Sequence, residues 1–324
     1  MTPRRSRRPA PLAPRRGRLR RTLLAALVAA SVAVPVAGAS GATEVPAPAP
    51  AVLATPHSAT AGELAVRYAA RRADIRAAAL AADAHGAHKR ATVLRELAAP
   101  ERQFYSFDGR DGGRTVEIYG DLAKADRIAV LVPGADTSVD VYWRLRNSAQ
   151  ALLREAGERV AVVAWIGYRT PATVSTDALT PDRADSGAAE LGAISAELAA
   201  VRPAARVSFL CHSYGSVVCA RAAHALTADN LVMFGSPGTG VPNAAALGTR
   251  ATVWAGRGSA DWIADVPHLS VELPFLTVGF GEDPVSPAYG ARHFDAGDTD
   301  HSGYLKPGSR ALRSLAEIVT ARHA

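Results

Sequence analysis

The stretch that decides the reading runs from Phe209 to Ala220, FLCHSYGSVVCA. An apolar run ends at Cys211, a histidine and a serine follow, and Gly215 opens a run of good helix formers. A serine between a strand-like run and a helix, with glycine two residues on, matches the G-x-S-x-G turn except that Cys211 replaces the first glycine. Such a turn holds a hydroxyl clear of a sheet, where a base can reach it. A serine at an ordinary strand-to-helix junction would give the same five letters, so the rest of the chain has to supply the partners.

Working outward, short β-rich runs alternate with helical ones from Gln103 onward. QFYSFD and RTVEIYGDL read as a pair of strands, and RIAVLVPG and RVAVVAWIGY as buried strands on either side of the amphipathic YWRLRNSAQALLREAG. A helix over Ala184 to Val201 comes next, followed by RVSFLCH as strand, YGSVVCARAAHALT as helix, NLVMFGSPG and ATVWAGRG as strands, and a closing helix in SRALRSLAEIVTARH. Strands separated by helices predict a mostly parallel α/β sheet with helices on both faces over residues 100–324. Upstream, residues 60–99 are dominated by strong helix formers and broken near His85-Gly86, which predicts a helical segment, either an appended hairpin or a cap. Residues 43–59 are rich in Pro and Ala and read as an extended tether.

The net charge of +7 invites a nucleic-acid reading, but its distribution excludes one. Nine arginines and no acid lie in residues 1–42; taking those nine from 37 basic residues leaves 28 against 30 acidic. With 6% aromatic residues and a slightly acidic remainder, no basic stacking surface is expected. The basic start, the apolar run from Thr22 to Ala39 and the small residues that follow have the layout of an export signal over residues 1–42, with cleavage after Ala39 or Ala42. Arg20-Arg21 ahead of Thr22-Leu23-Leu24 is similar to a twin-arginine signal. An uncleaved anchor is the competing reading, and Pro35 with the small residues disfavours it. A secreted or cell-envelope protein is the expectation, with no stable membrane span after cleavage. In that compartment the two cysteines, Cys211 and Cys219, can form one bridge across the serine turn; two buried thiols are the alternative.

A serine hydroxyl is a poor nucleophile at neutral pH and needs a base, an acid to orient the base, and N–H donors for the oxyanion. The order Ser, Asp, His along an α/β sheet supplies candidates for each. Ser213 is the nucleophile and His301, in FDAGDTDHSGYL before the last helix, is the base. Of the other histidines, His268 and His293 fit better as structural residues, and His212 precedes the serine. Asp261, in the loop after ATVWAG, is the first choice of acid; Asp265 and then Asp283 are its competitors. Asp in a loop is most often a turn former, so position in the chain carries this choice. For the oxyanion hole, the N–H of Tyr214 and that of Ala135 or Asp136 in LVPGADTS are candidates, with Gly134 letting the backbone turn. No cofactor or metal is expected: H-E-x-x-H is absent, HGAH at His85 to His88 reads as a helix break, and GSPGTG lacks the Lys-Ser/Thr of a phosphate loop.

IAVLVPGADTSVD, VVAWIGYRTP, LCHSYGSVV and GARHFDAGDTDHSGYL with the closing helix together resemble an actinobacterial α/β-hydrolase family catalogued as a domain of unknown function. The resemblance covers residues 100 to 322, with Cys211 standing where many members have glycine. It implies the α/β-hydrolase fold and serine hydrolase chemistry at Ser213 and His301, with Asp261 as the acid. The expectation is a secreted serine hydrolase acting on a small-molecule or lipid-like acyl substrate, cleaving an ester or related acyl bond through an acyl-enzyme. A peptidase or amidase would use the same residues. A non-catalytic envelope binding protein on the same scaffold is the reading from another class, and a distance above about 5 Å from Ser213 Oγ to every histidine nitrogen would favour it.

Overall fold

A computed structural model of the chain describes residues 45–173, 175, 182–266, 271–273, 276–278 and 280–321. All of them belong to the unit 44–324, and the export signal expected over residues 1–42 lies outside the described residues.

The two N-terminal helices, α1 (Ala61–Ala84) and α2 (His88–Leu97), are separated at Gly86, whose φ of 82° takes the chain out of helix. Thr60 caps α1: its Oγ1 accepts from Glu63 N–H at 3.3 Å and donates to the Glu63 carboxylate at 2.8 Å. Strands β1 (Phe104–Asp108), β2 (Arg114–Tyr119) and β3 (Arg127–Val132) follow, then α3 (Trp143–Ala156), β4 (Val160–Ile166) and α4 (Asp182–Val201). After these come β5 (Arg206–His212), α5 (Gly215–Ala222), β6 (Asn230–Phe234), β7 (Thr252–Gly256), β8 (Val271–Leu273), β9 (Leu276–Val278), β10 (Arg292–His293) and α6 (Arg310–Thr320).

Eight strands form one sheet in the order β1-β2-β4-β3-β5-β6-β7-β10, while β8 and β9 pair separately. Within the eight-stranded sheet β2 is antiparallel to both its neighbours and every other pair is parallel. This is the predicted mostly parallel sheet. Because its central strands are buried on both faces, their side chains alternate between two cores. Ile128, Val130 and Val132 of β3 pack with Leu191 and Leu198 of α4 and Val217 of α5. Ala129 and Leu131 point the other way, with Leu145 and Leu152 of α3 and Leu312 and Leu315 of α6.

The chain leaves β3 for β4 on one side, then crosses to β5 on the other, so the loops beyond the carboxyl ends of β3 and β5 diverge. A crevice at such a switch point is where open α/β sheets bind ligands. Far from it, α1 packs on the edge strand β1, with Ile75 and Ala78 against Phe104 and Phe107. A covered edge cannot recruit another strand. The helical segment is thus a hairpin on the sheet edge. The Pro/Ala-rich segment is extended, but it does not hang free: Ala51 N–H donates to Asp74 at 3.0 Å, and Arg71 and Arg67 of α1 donate to Ala51 O at 2.8 Å and Ala54 O at 2.6 Å.

Under that edge lies a buried polar cluster. Glu117 of β2 is 1% exposed; it accepts from both sides of the Arg102 guanidinium and from the hydroxyls of Tyr119 and Tyr142, the last at 2.7 Å. Each carboxylate oxygen is therefore satisfied by a charged or hydroxyl donor, the condition for burying a charge at all.

Candidate active site

Ser213 sits directly after β5 with φ of 53°, in the left-handed region that a non-glycine residue occupies only at a cost of roughly 1–2 kcal/mol. The surroundings hold it there. Its N–H donates to Phe234 O at 3.0 Å, and Ser216 Oγ donates to its carbonyl at 2.6 Å while also meeting Ser236 Oγ at 2.6 Å. The turn itself is made by the serine, not by Gly215, which serves a different need. A Cβ on Gly215 would lie 2.5 Å from Val132 O and 2.7 Å from Pro133 O, so glycine lets α5 start against the end of β3. Gly134 likewise gives room rather than a turn, since a Cβ there would stand 2.6 Å from Ser213 Cβ. At the departure from the usual motif, Cys211 is fully buried and joined by a disulfide to Cys219 of α5, fastening strand to helix across the serine.

The three residues selected by chain order lie in one hydrogen-bonded line. Ser213 Oγ is 2.9 Å from His301 Nε2, and His301 Nδ1 is 2.8 Å from Asp261 Oδ1. Because an ionised carboxylate can only accept, Nδ1 carries the proton and Nε2 is left to accept from the serine. Asp265 is exposed, four residues further on, and Asp283 is paired with Arg257 at 2.7 Å, so neither competitor meets the histidine. Asp261 is 2% exposed. Burial by itself would raise its pKa, but hydrogen bonds from His301, Tyr304 and Ile263 N–H outweigh that and hold it below the usual carboxylate value.

Both main-chain donors proposed for an oxyanion stand beside this line, Tyr214 at the start of α5 and Ala135 in the loop after β3. Asp136 N–H is spent on Pro171 O at 3.0 Å, whereas the Ala135 N–H has no acceptor among the described residues. Between the Ala135 loop and the His301 ring opens a cavity of about 170 Å3, which Arg144, Leu145 and Leu305 also line.

A family model described as alpha/beta hydrolase matches residues 108–271. The chain belongs to the α/β-hydrolase family. An uncharacterized protein of Mycobacterium tuberculosis is 32% identical over 251 residues, a match spanning 66% of this chain and 38% of that protein. An uncharacterized protein of Mycobacterium bovis is 28% identical over 150 residues, 40% of this chain and 54% of its own. The chain thus spans well under two thirds of these curated relatives. Among solved structures, an α/β serine hydrolase without lid from Xanthomonas campestris aligns with 69% of this chain and 98% of its own, at 21% identity and a TM-score of 0.45. Esterase LipW from Mycobacterium marinum aligns with 75% and 89% at 14% identity and a TM-score of 0.42.

Three residues of this α/β-hydrolase site went unselected in the sequence. Tyr304 donates its hydroxyl to Asp261 Oδ2 and accepts from Gly258 N–H at 3.1 Å. It stands three residues after His301 in HSGY, and only that short spacing hinted at it. His212 donates from Nε2 to the carbonyl of His301 at 2.8 Å, and its ring lies 4.9 Å from the His301 ring. Burial, then the neighbouring His301, push the His212 pKa down to about 4. Trp262 covers the other side, with ring centroids 4.7 Å apart, and is 48% exposed. His293 is exposed in β10, and His268 lies outside the described residues. Among the described residues no group of three or more His, Cys, Asp or Glu could hold a metal ion, and no helix is long and apolar enough to cross a membrane.

Proposed function

We propose that the protein is a serine hydrolase that cleaves an ester through an acyl-enzyme, with Ser213, His301 and Asp261 as its triad. The observation that carries the reading is the continuous line from Ser213 Oγ through the imidazole to Asp261, at 2.9 and 2.8 Å. Ser213 Oγ attacks the acyl carbon while its proton passes to His301 Nε2. The negative charge that forms on the carbonyl oxygen is held by the N–H groups of Tyr214 and Ala135. Collapse breaks the bond to the leaving oxygen, which takes the proton from His301. Water then gives a proton to His301 and attacks the acyl carbon, releasing the acid and restoring Ser213. Asp261 keeps the imidazole in the tautomer that accepts, and Tyr304 and Ile263 N–H keep Asp261 ionised and aimed.

The 2.9 Å separation of Ser213 and His301 speaks against a non-catalytic binding protein. A peptidase or amidase would use the same groups, and no observation favours it. Export accompanies the reading: a disulfide such as Cys211–Cys219 persists outside the cytoplasm, and residues 1–42 have the layout of a signal. The test is fluorophosphonate labelling of the mature protein beside Ser213→Ala, with hydrolysis of short and long acyl esters followed in parallel. Labelling and turnover that vanish together in the variant are expected. A folded wild type that neither labels nor turns over any ester overturns the reading.

A further inference from the structure

The cavity beside His301 does not end there. Arg144, Ser148, Ser302 and Leu305 line it and also line an adjoining groove of about 630 Å3 along α3, whose further walls include Trp143, Arg154, Lys306 and Pro307. The groove's lining contains three cationic side chains and no carboxylate. Lys306 is partly spoken for by Asp300 at 3.0 Å. Arg144 and Arg154 form no ion pair among the described residues, and the Arg144 guanidinium lies 5.4 Å from the centre of the Trp143 ring. Trp143 is 58% exposed and offers an apolar face to the groove. The first turn of α3 carries no acid. Asp136 is the acid on the cavity wall, and its Oδ1 accepts from Thr173 N–H at 3.1 Å.

An exposed guanidinium at the junction of the two spaces, beside an exposed indole, is suited to a ligand that is apolar along its length and anionic at its end. We propose that the substrate is an ester carrying an anionic group, a carboxylate or a phosphate, on the arm that runs along α3, with Arg144 as the residue that selects it. The inference rests on the hydrolase reading of Ser213 and His301. Arg144 is a specificity-determining residue here, not a catalytic one: it touches the far end of the substrate and no reacting atom.

The experiment uses matched ester pairs differing only in a terminal charge: the mono-p-nitrophenyl ester of adipic acid against p-nitrophenyl hexanoate for an acyl-side anion, and the butyrate ester of 4-hydroxyphenylacetate against that of 4-ethylphenol for a leaving-group anion. In at least one pair, wild type favours the anionic member in kcat/KM. Arg144→Met lowers that preference by on the order of tenfold, chiefly through KM, as expected for one charge-assisted contact, and Arg144→Lys restores part of it. Raising the salt concentration weakens the preference in wild type and leaves it flat in Arg144→Met. Turnover of both members with equal efficiency, or a preference that Arg144→Met leaves intact, overturns this inference while leaving the hydrolase standing. Absence of fluorophosphonate labelling and of all turnover overturns the hydrolase reading itself.

Discussion

Two buried carboxylates, Glu117 on β2 and Asp261 in the loop after β7, have similar partners and opposite prospects. Glu117 and Asp261 are exposed by 1% and 2%; Glu117 takes two tyrosine hydroxyls and Asp261 one, and each meets one nitrogen side chain. Around Glu117 the base is Arg102, which never gives up its proton, and the hydroxyls of Tyr119 and Tyr142 close the remaining space. Around Asp261 the base is His301, which lines a cavity and whose second nitrogen reaches Ser213. The first cluster only has to hold its charge. The second is built to pass a proton, because an imidazole nitrogen can both accept and donate one and Ser213 Oγ stands within its reach.

The comparison is broken most forcefully at the serine. Ser213→Ala is expected to lower kcat for ester hydrolysis by about 10^4-fold or more. Its thermal midpoint should stay near wild type, because no buried charge loses a partner. A spectrophotometric ester assay with a melting curve on the same sample decides it; retained turnover would remove Ser213 from the mechanism.

The carboxylates themselves come next, and here the two regions should separate cleanly. Asp261→Asn is expected to lower kcat by roughly 10^3- to 10^4-fold, since an amide can donate to Nδ1 and favour the wrong tautomer. Glu117→Gln leaves Arg102 buried without its counter-charge and should cost about 3–5 kcal/mol of stability, with kcat of the folded fraction unchanged. Urea unfolding and initial rates on both variants form the check. If Glu117→Gln lowered kcat as Asp261→Asn does, the two clusters would not be independent.

His212 sharpens the contrast through pH. Its folded pKa of about 4 lies below the 6.5 of a free histidine, so between these values the unfolded chain binds a proton that the native state refuses. Stability therefore falls as pH drops from 6.5 towards 4, by on the order of 2–3 kcal/mol, and this contribution levels off below. Asp261 is the opposite case: its depressed pKa adds stability above the ordinary carboxylate value, and that part is lost only as pH falls through the lower folded value. In His212→Gln the loss between pH 6.5 and 4 should largely disappear, as followed by urea midpoints across that range.

What the sequence made legible was what chain order and periodicity encode. Buried runs such as RIAVLV and RVAVVAWI identify central strands, because both faces must be apolar there. The order Ser213, Asp261, His301 along alternating strands and helices brought together three residues that the structure finds in hydrogen-bond contact. Tyr304 and His212 escaped because their partners lie 43 and 89 residues away, and nothing in a tyrosine or histidine announces such a partner. In sequence Gly134 and Gly215 both read as turn residues, because glycine usually is one. Their actual constraint, carbonyls and a side chain within 3 Å of a missing Cβ, exists only once β3 and β5 lie side by side. The position of α1 on the sheet edge was closed to sequence for the same reason, since a hairpin and a cap need the same helix formers.

The smallest effect tests whether the tyrosines of the two clusters do the same work. Tyr304→Phe removes one of three donors to Asp261 and leaves Gly258 N–H without its acceptor, while His301 still reaches the other carboxylate oxygen. Asp261 then aims the imidazole less firmly but still charged, so kcat should fall about tenfold rather than the thousandfold of Asp261→Asn, with about 1 kcal/mol lost in stability. Tyr119→Phe strips one donor from Glu117 in the same way, and should lower stability by a similar amount with kcat untouched. The two hydroxyls are chemically alike and both face a buried carboxylate. If only Tyr304→Phe slows turnover, the difference between the clusters lies in what the carboxylate holds at its other end, a fixed guanidinium or an imidazole with a proton to move.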